Sequence, residues 1–111
     1  MTPLRDRRCR PCPPGTAALA PDTAAALLSQ LATGWRIADD GRSLRCAFKF
    51  EDFHETIGFV NALAWIANAE DHHPDLEVGY DYCRVTFATH SIGGLSENDY
   101  ICAAKVDALM E

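Results

Sequence analysis

Four consecutive residues, Asp71-His72-His73-Pro74, hold the densest chemistry in the chain. Two adjacent imidazoles follow a carboxylate and precede a proline that restrains the backbone just beyond them. A third imidazole, His90, stands in the pair Thr89-His90. Histidine has an ordinary pKa near neutrality, so it can give or take a proton under working conditions. Three such rings around one pocket suit the addition or removal of water. One donates to the leaving hydroxyl, another accepts a proton from the substrate, and a third orients it. The same three rings with Asp71 could instead hold Zn²⁺. Against that reading, adjacent side chains rarely point the same way, and the i, i+4 spacing of helical zinc motifs is absent. Each histidine could also be an ordinary surface or core residue, but three of the four converging on one corner is a less easily accidental outcome. His54, in the first turn of a helix, reads as solvated.

Those rings meet only if the elements bring them together. Asp22 or Thr23 can cap a helix running to about Thr33, with Gly34 just past its end. Trp35 to Ala38 reads as a short strand, Asp39-Asp40-Gly41-Arg42 as a turn, and Ser43 to Phe50 as a strand. In that strand Leu44, Cys46, Phe48 and Phe50 alternate with Arg45, Ala47 and Lys49, the period of a half-buried antiparallel strand. Glu51 and Asp52 open a second helix, where acidic groups suit the positive end of the dipole. Phe53, Ile57, Val60, Ala64 and Ala67 keep helical spacing there, and Phe59, Leu63 and Ile66 widen the stripe, so this helix is expected to be the most buried. It must stop before Pro74. Pro74 to Tyr80 and Cys83 to Thr89 alternate as a second hairpin, which would bring the start of its first strand, and with it His72 and His73, close to His90. Ser96 then caps a third helix, with Asp99 three residues on as in a capping box. Asp99 also lies one short loop from His90 and could orient an imidazole. Phe48, Phe59, Trp65, Phe87 and Tyr100 read as core, and Trp35 as core or an aromatic wall.

The order αββαββα implies an α+β fold: one four-stranded antiparallel sheet with three helices packed on one face. Residues 1–20, rich in Pro, Arg and Ala, are expected to form a flexible N-terminal arm ahead of a domain over 21–111. The arm holds Cys9-Arg10-Pro11-Cys12, half a zinc site or a redox pair at most, because no second pair follows it. Two incidental thiols on a loose arm are the simpler reading.

Composition narrows the class. The 111 residues carry 10 Lys+Arg against 16 Asp+Glu, a formal net charge of -6, with no basic run able to track a phosphate backbone. Direct nucleic-acid binding is therefore not expected. The N-terminus lacks the apolar core of a signal peptide, and the apolar stretch from Thr56 to Ala69 is too short to span a bilayer. Five cysteines, an odd number, read as reduced thiols of a cytoplasmic protein. Gly93-Gly94 has no following Lys-Ser/Thr and is no phosphate loop.

Taken together, Asp71-His72-His73-Pro74-Asp75, Val78-x-Tyr80, Val85-x-Phe87-x-Thr89-His90 and Gly94-Leu95-Ser96-x-x-Asp99, with Ala103, Asp107 and Trp35, closely resemble the pterin-4a-carbinolamine dehydratase family over about residues 22–110. The resemblance implies dehydration of 4a-hydroxytetrahydropterin to quinonoid dihydropterin, in the tetrahydropterin recycling that serves aromatic amino acid hydroxylation, without metal or organic cofactor. It makes His72 and His90 the acid/base candidates and His73 a substrate-binding, polarising group. Asp71, Pro74, Thr89 and Asp99 become supporting residues, with Asp99 setting the charge on a histidine. It also implies a homodimer or homotetramer. Two positions depart from the family's pattern: Leu76 replaces an aromatic residue found in some relatives, and Asn68 an acidic one. A non-catalytic assembly or dimerisation protein of the same fold is the competing class, and a zinc-binding module built on Cys9, Cys12 and histidines is a third.

Overall fold

The computed structural model describes residues 2–111. Helix α1 spans Pro21–Leu28, β1 Arg36–Ile37, β2 Leu44–Lys49, α2 Phe53–Glu70, β3 Asp75–Val78, β4 Tyr82–Phe87 and α3 Glu97–Ala108. The four strands form one antiparallel sheet in the order β1-β2-β4-β3. The expected α+β architecture is thus the observed one.

Each helix start has a local cause. Pro21 opens α1 at its first turn, where a fixed φ helps and a missing N–H costs nothing. This helix ends at Leu28, earlier than expected, because the next bonds tighten to Gln30 N–H on Leu27 C=O and Leu31 N–H on Leu28 C=O. Asp52 caps α2 by accepting from the Glu55 N–H at 2.9 Å. The Ser96–Asp99 capping box opens α3 as its spacing predicts.

Alternation in β2 turns Leu44, Cys46 and Phe48 inward, and in β4 it does the same for Cys83, Val85 and Phe87. They share one core with Trp35, Phe59, Leu63, Leu95, Tyr100 and Val106. Two packing expectations need correction. Eight of the twelve residues of α3 are buried against five of eighteen in α2, so α3 is the central helix. And α2 faces inward along Thr56, Phe59, Leu63, Ile66 and Ala67, which leaves Trp65 outside at 72% exposure. Consecutive helical residues lie about 100° apart, so Trp65 cannot share a face with both Leu63 and Ile66. Leu76 and Val78 keep the inward register opposite Val85 and Cys83, yet stay partly exposed because β3 is an edge.

The N-terminal segment, expected as a flexible arm, makes contacts with the rest of the chain (Met1 lies outside the described residues). Leu4 sits in the core at 3% exposure, and the Lys105 ammonium donates to Arg5 C=O at 2.8 Å. One apolar anchor and hydrogen bonds between its backbone and distant side chains hold a stretch that its proline-rich composition alone made look loose.

A long-range clamp closes the fold. The Asp107 carboxylate accepts from Trp35 Nε1–H at 2.8 Å and from the Ala32 N–H at 2.9 Å. Asp107→Ala would orphan the indole donor of a buried tryptophan, a loss of about 1–3 kcal/mol. We expect a lower urea midpoint at unchanged m-value. An unaltered midpoint would show that water replaces the carboxylate at no cost.

Candidate functional site

The hairpin places the site as its register dictates. Asp75 pairs with Thr86, so the residues just before β3 lie beside those just after β4. Helix α2 ends at Glu70 and is closed by Asp71, whose φ of 52° is left-handed, and this reversal swings His72 and His73 out of the helix. On the other side, Thr89 bridges to Gly94 and His90 begins a short 3-10 turn ending at Ile92. His72, His73 and His90 all line one cleft of about 400 Å³, together with Asp71 and Thr89. Pro74 is not among the lining residues and sits at the entry to β3.

His72 is the most constrained ring. Its side chain is 12% exposed, and its Nε2 lies 2.6 Å from Oδ1 of Asp99, which is fully buried. It stacks on Phe87, with centroids 6.1 Å apart and planes 9° from parallel. Asp99 Oδ2 accepts from the Ser96 N–H and from Thr89 Oγ1–H, each at 2.9 Å. With Asp99 accepting throughout, the network assigns Nε2–H of His72 as the donor and leaves Nδ1 as the basic nitrogen. Ser96 Oγ, 2.7 Å from Thr89 Oγ1, completes a hydroxyl relay behind the carboxylate. Thr89 and Asp99, expected as supporting residues, are thus joined to each other, and Asp99 in turn to the His72 ring.

His73 is exposed, and its Nε2 lies 3.0 Å from Asn68 Oδ1. Asn68, marked in the sequence only as a departure from the family's pattern, thus serves as partner to that ring. His90 is exposed at the cleft wall, and His54 is exposed on α2 outside this cleft.

The cleft also has a wall the sequence did not reveal: Cys9, Arg10, Pro11 and Cys12. Cys9 Sγ lies 3.6 Å from Cys102 Sγ and 3.7 Å from Asn98 C=O, so it faces α3 and does not pair with Cys12. All five cysteines are free thiols. The hydrogen bond with Cys9, with burial, pushes the Cys102 thiol well above its usual range. Among the described residues no three His, Cys, Asp or Glu side chains are grouped to hold a metal ion.

Residues 17–109 match the family described as pterin 4 alpha carbinolamine dehydratase. A protein of Nitrosomonas europaea, provisionally named a pterin-4-alpha-carbinolamine dehydratase, is 53% identical over 108 residues, 97% of this chain and 94% of its own. One of the same provisional name from Stenotrophomonas maltophilia is 50% identical over 111 residues, 100% of this chain and 95% of its own. Among solved structures, a transcriptional coactivator/pterin dehydratase from Brucella melitensis superposes with a TM-score of 0.80 at 34% identity, covering 85% of this chain and 99% of its own. A pterin dehydratase-like protein identified as a RuBisCO assembly factor of the alpha-carboxysome matches with a TM-score of 0.60 at 30% identity, covering 68% of this chain and 88% of its own. With the histidine motifs, the hairpin that joins them and a match spanning nearly the whole domain, the chain belongs to the pterin-4a-carbinolamine dehydratase family.

Proposed function

We propose that this protein removes water from 4a-hydroxytetrahydropterin through its own histidines, without metal or organic cofactor. The observation that carries the reading is the convergence of His72, His73 and His90 on one cleft, with His72 held by a buried carboxylate. In the reaction the C4a–O bond breaks, an acid protonates the departing hydroxyl, and a base takes the N5 proton, whose electron pair forms the C4a–N5 double bond of the quinonoid product. His72 suits the base: a proton arriving at Nδ1 creates an imidazolium already paired with Asp99. His90, at the cleft wall, is then the acid. His73, steadied by Asn68, orients the ring system, and Asp71 and Pro74 shape the turn that presents both adjacent imidazoles.

This chemistry would serve tetrahydropterin recycling for aromatic amino acid hydroxylation in the cytoplasm. None of the described helices is long and apolar enough to cross a membrane. A homodimer or homotetramer would cover the β3 edge, where Leu76 and Val78 stay partly exposed. The relative identified as a RuBisCO assembly factor keeps a non-catalytic role open as the second reading.

The deciding experiment follows absorbance during dehydration of freshly generated 4a-hydroxytetrahydropterin. Rapid turnover by wild-type protein, beyond the spontaneous rate, is expected. A folded wild-type protein that gives no acceleration leaves assembly or binding as the function.

A further inference from the structure

The dehydratase reading leaves one wall of the cleft without a role. Residues Cys9 to Cys12 line that wall, and each of three pins ties them to a different part of the site. The Cys9 N–H donates to Glu70 Oε1 at 2.8 Å, two residues before His72. The Asn98 amide grips Arg10 twice: its Oδ1 accepts from the Arg10 N–H at 3.0 Å, and its Nδ2–H donates to Arg10 C=O at 2.6 Å. Asn98 immediately precedes Asp99 and is only 8% exposed. Ser91 Oγ–H donates to Cys12 C=O at 2.6 Å, next to His90. The strap is thus fastened to the three segments that carry the acid, the base and the buried carboxylate.

The fastening is electrostatically backed at Glu70. Its side chain is 5% exposed and lies 3.0 Å from Arg8 and 3.7 Å from Lys105. Burial pushes the Glu70 carboxyl up, but the Cys9 N–H, Lys105 and Arg8 outweigh it and hold the group below its ordinary value. The Glu70 contribution to docking is therefore full above the unfolded carboxyl pKa of about 4.3 and fades as pH falls through the lower folded value. Between the pins at Arg10 and Cys12 stands Pro11, a residue with a fixed φ and an apolar ring. A flat heteroaromatic substrate needs such a rigid apolar surface, and a wall ordered beforehand costs little entropy on binding.

We propose that Cys9-Arg10-Pro11-Cys12 is a substrate-binding strap, that Pro11 packs on the pterin ring, and that Asn98 is the residue positioning it. The inference rests on the pterin-dehydratase reading of the cleft.

The test combines kinetics with a direct binding readout. In Asn98→Ala and in Pro11→Gly, which leaves α3 untouched, KM for the carbinolamine rises by about tenfold, as expected for the loss of a small set of contacts. Turnover at saturation stays within about twofold and the pH profile keeps its shape, because the acid and base remain in place. In wild-type protein, 7,8-dihydrobiopterin at roughly ten times its Kd slows alkylation of Cys12 by iodoacetamide about tenfold, followed by peptide mass spectrometry. Wild-type turnover with Cys12 unprotected and KM unchanged in both variants overturns the strap and leaves the dehydratase standing. Wild-type protein that neither turns over the carbinolamine nor binds dihydrobiopterin overturns the dehydratase reading, and the strap with it.

Discussion

His72→Ala and His90→Ala each lower kcat for dehydration of the carbinolamine by about two to four orders of magnitude, the range of a general acid or base. The expectation rests on position as much as on residue type. His72 is clamped between Asp99 and Phe87, so in the proposed reaction its Nδ1 would be held ready as the base. In the proposed elimination His90 would supply the other proton transfer. If the two act in one step, the double variant loses no more than about tenfold beyond the worse single variant, because residues that work as a unit are strongly non-additive. His73→Ala behaves differently and mainly raises KM, since that ring is exposed and held only by Asn68. Circular dichroism and urea unfolding should show every variant folded. Near-wild-type turnover in both His72→Ala and His90→Ala would end the assignment of roles, and a kcat loss confined to His73→Ala would exchange them.

Asp99→Asn should be nearly as damaging to turnover while costing less in stability than Asp99→Ala. The carboxylate accepts from the Ser96 N–H, from Thr89 Oγ1–H and from His72. An asparagine can keep its oxygen on Ser96 and Thr89, but its NH2 group then faces His72 Nε2. That contact demands a bare Nε2, which moves the ring proton to Nδ1 and removes the base. We expect kcat to fall about two to four orders of magnitude, as for other carboxylates that fix a catalytic tautomer. Asp99→Ala removes its half of the capping box as well and leaves buried donors without an acceptor, a destabilisation of about 2–4 kcal/mol. The pH–rate profile and the urea midpoint separate these effects. An Asp99→Asn enzyme with wild-type kcat would reduce Asp99 to its part in the capping box.

Much of this was written locally in the chain. Alternation in Leu44–Phe50 and in Cys83–Thr89, and the Ser96-x-x-Asp99 capping box, all depend on neighbours within a few residues, so a single sequence displays them. The hairpin pairing that follows from two adjacent alternating runs is nearly local too. That is why His72, His73 and His90 could be expected on one corner before any coordinate was known.

What only the tertiary structure decided lies in contacts far apart along the chain. Which row of α2 faces the sheet, and hence that Trp65 stays outside, depends on how the helix docks, since its apolar stripe admitted both rows. Capping and contact with an imidazole were foreseeable as compatible roles of Asp99, but only the fold shows Oδ1 on His72 and Oδ2 on Ser96 and Thr89. The Trp35–Asp107 clamp joins residues from opposite ends of the domain. The strap was the least legible feature, because Pro-, Arg- and Cys-rich composition carries no period. Its order comes from Leu4 in the core and from Glu70, Asn98 and Ser91, whose partners lie some sixty to ninety positions away. Local sequence specifies secondary structure and caps through short-range sterics and hydrogen bonds. Docking that depends on the summed burial and polar pairing of remote segments emerges only once the chain is folded.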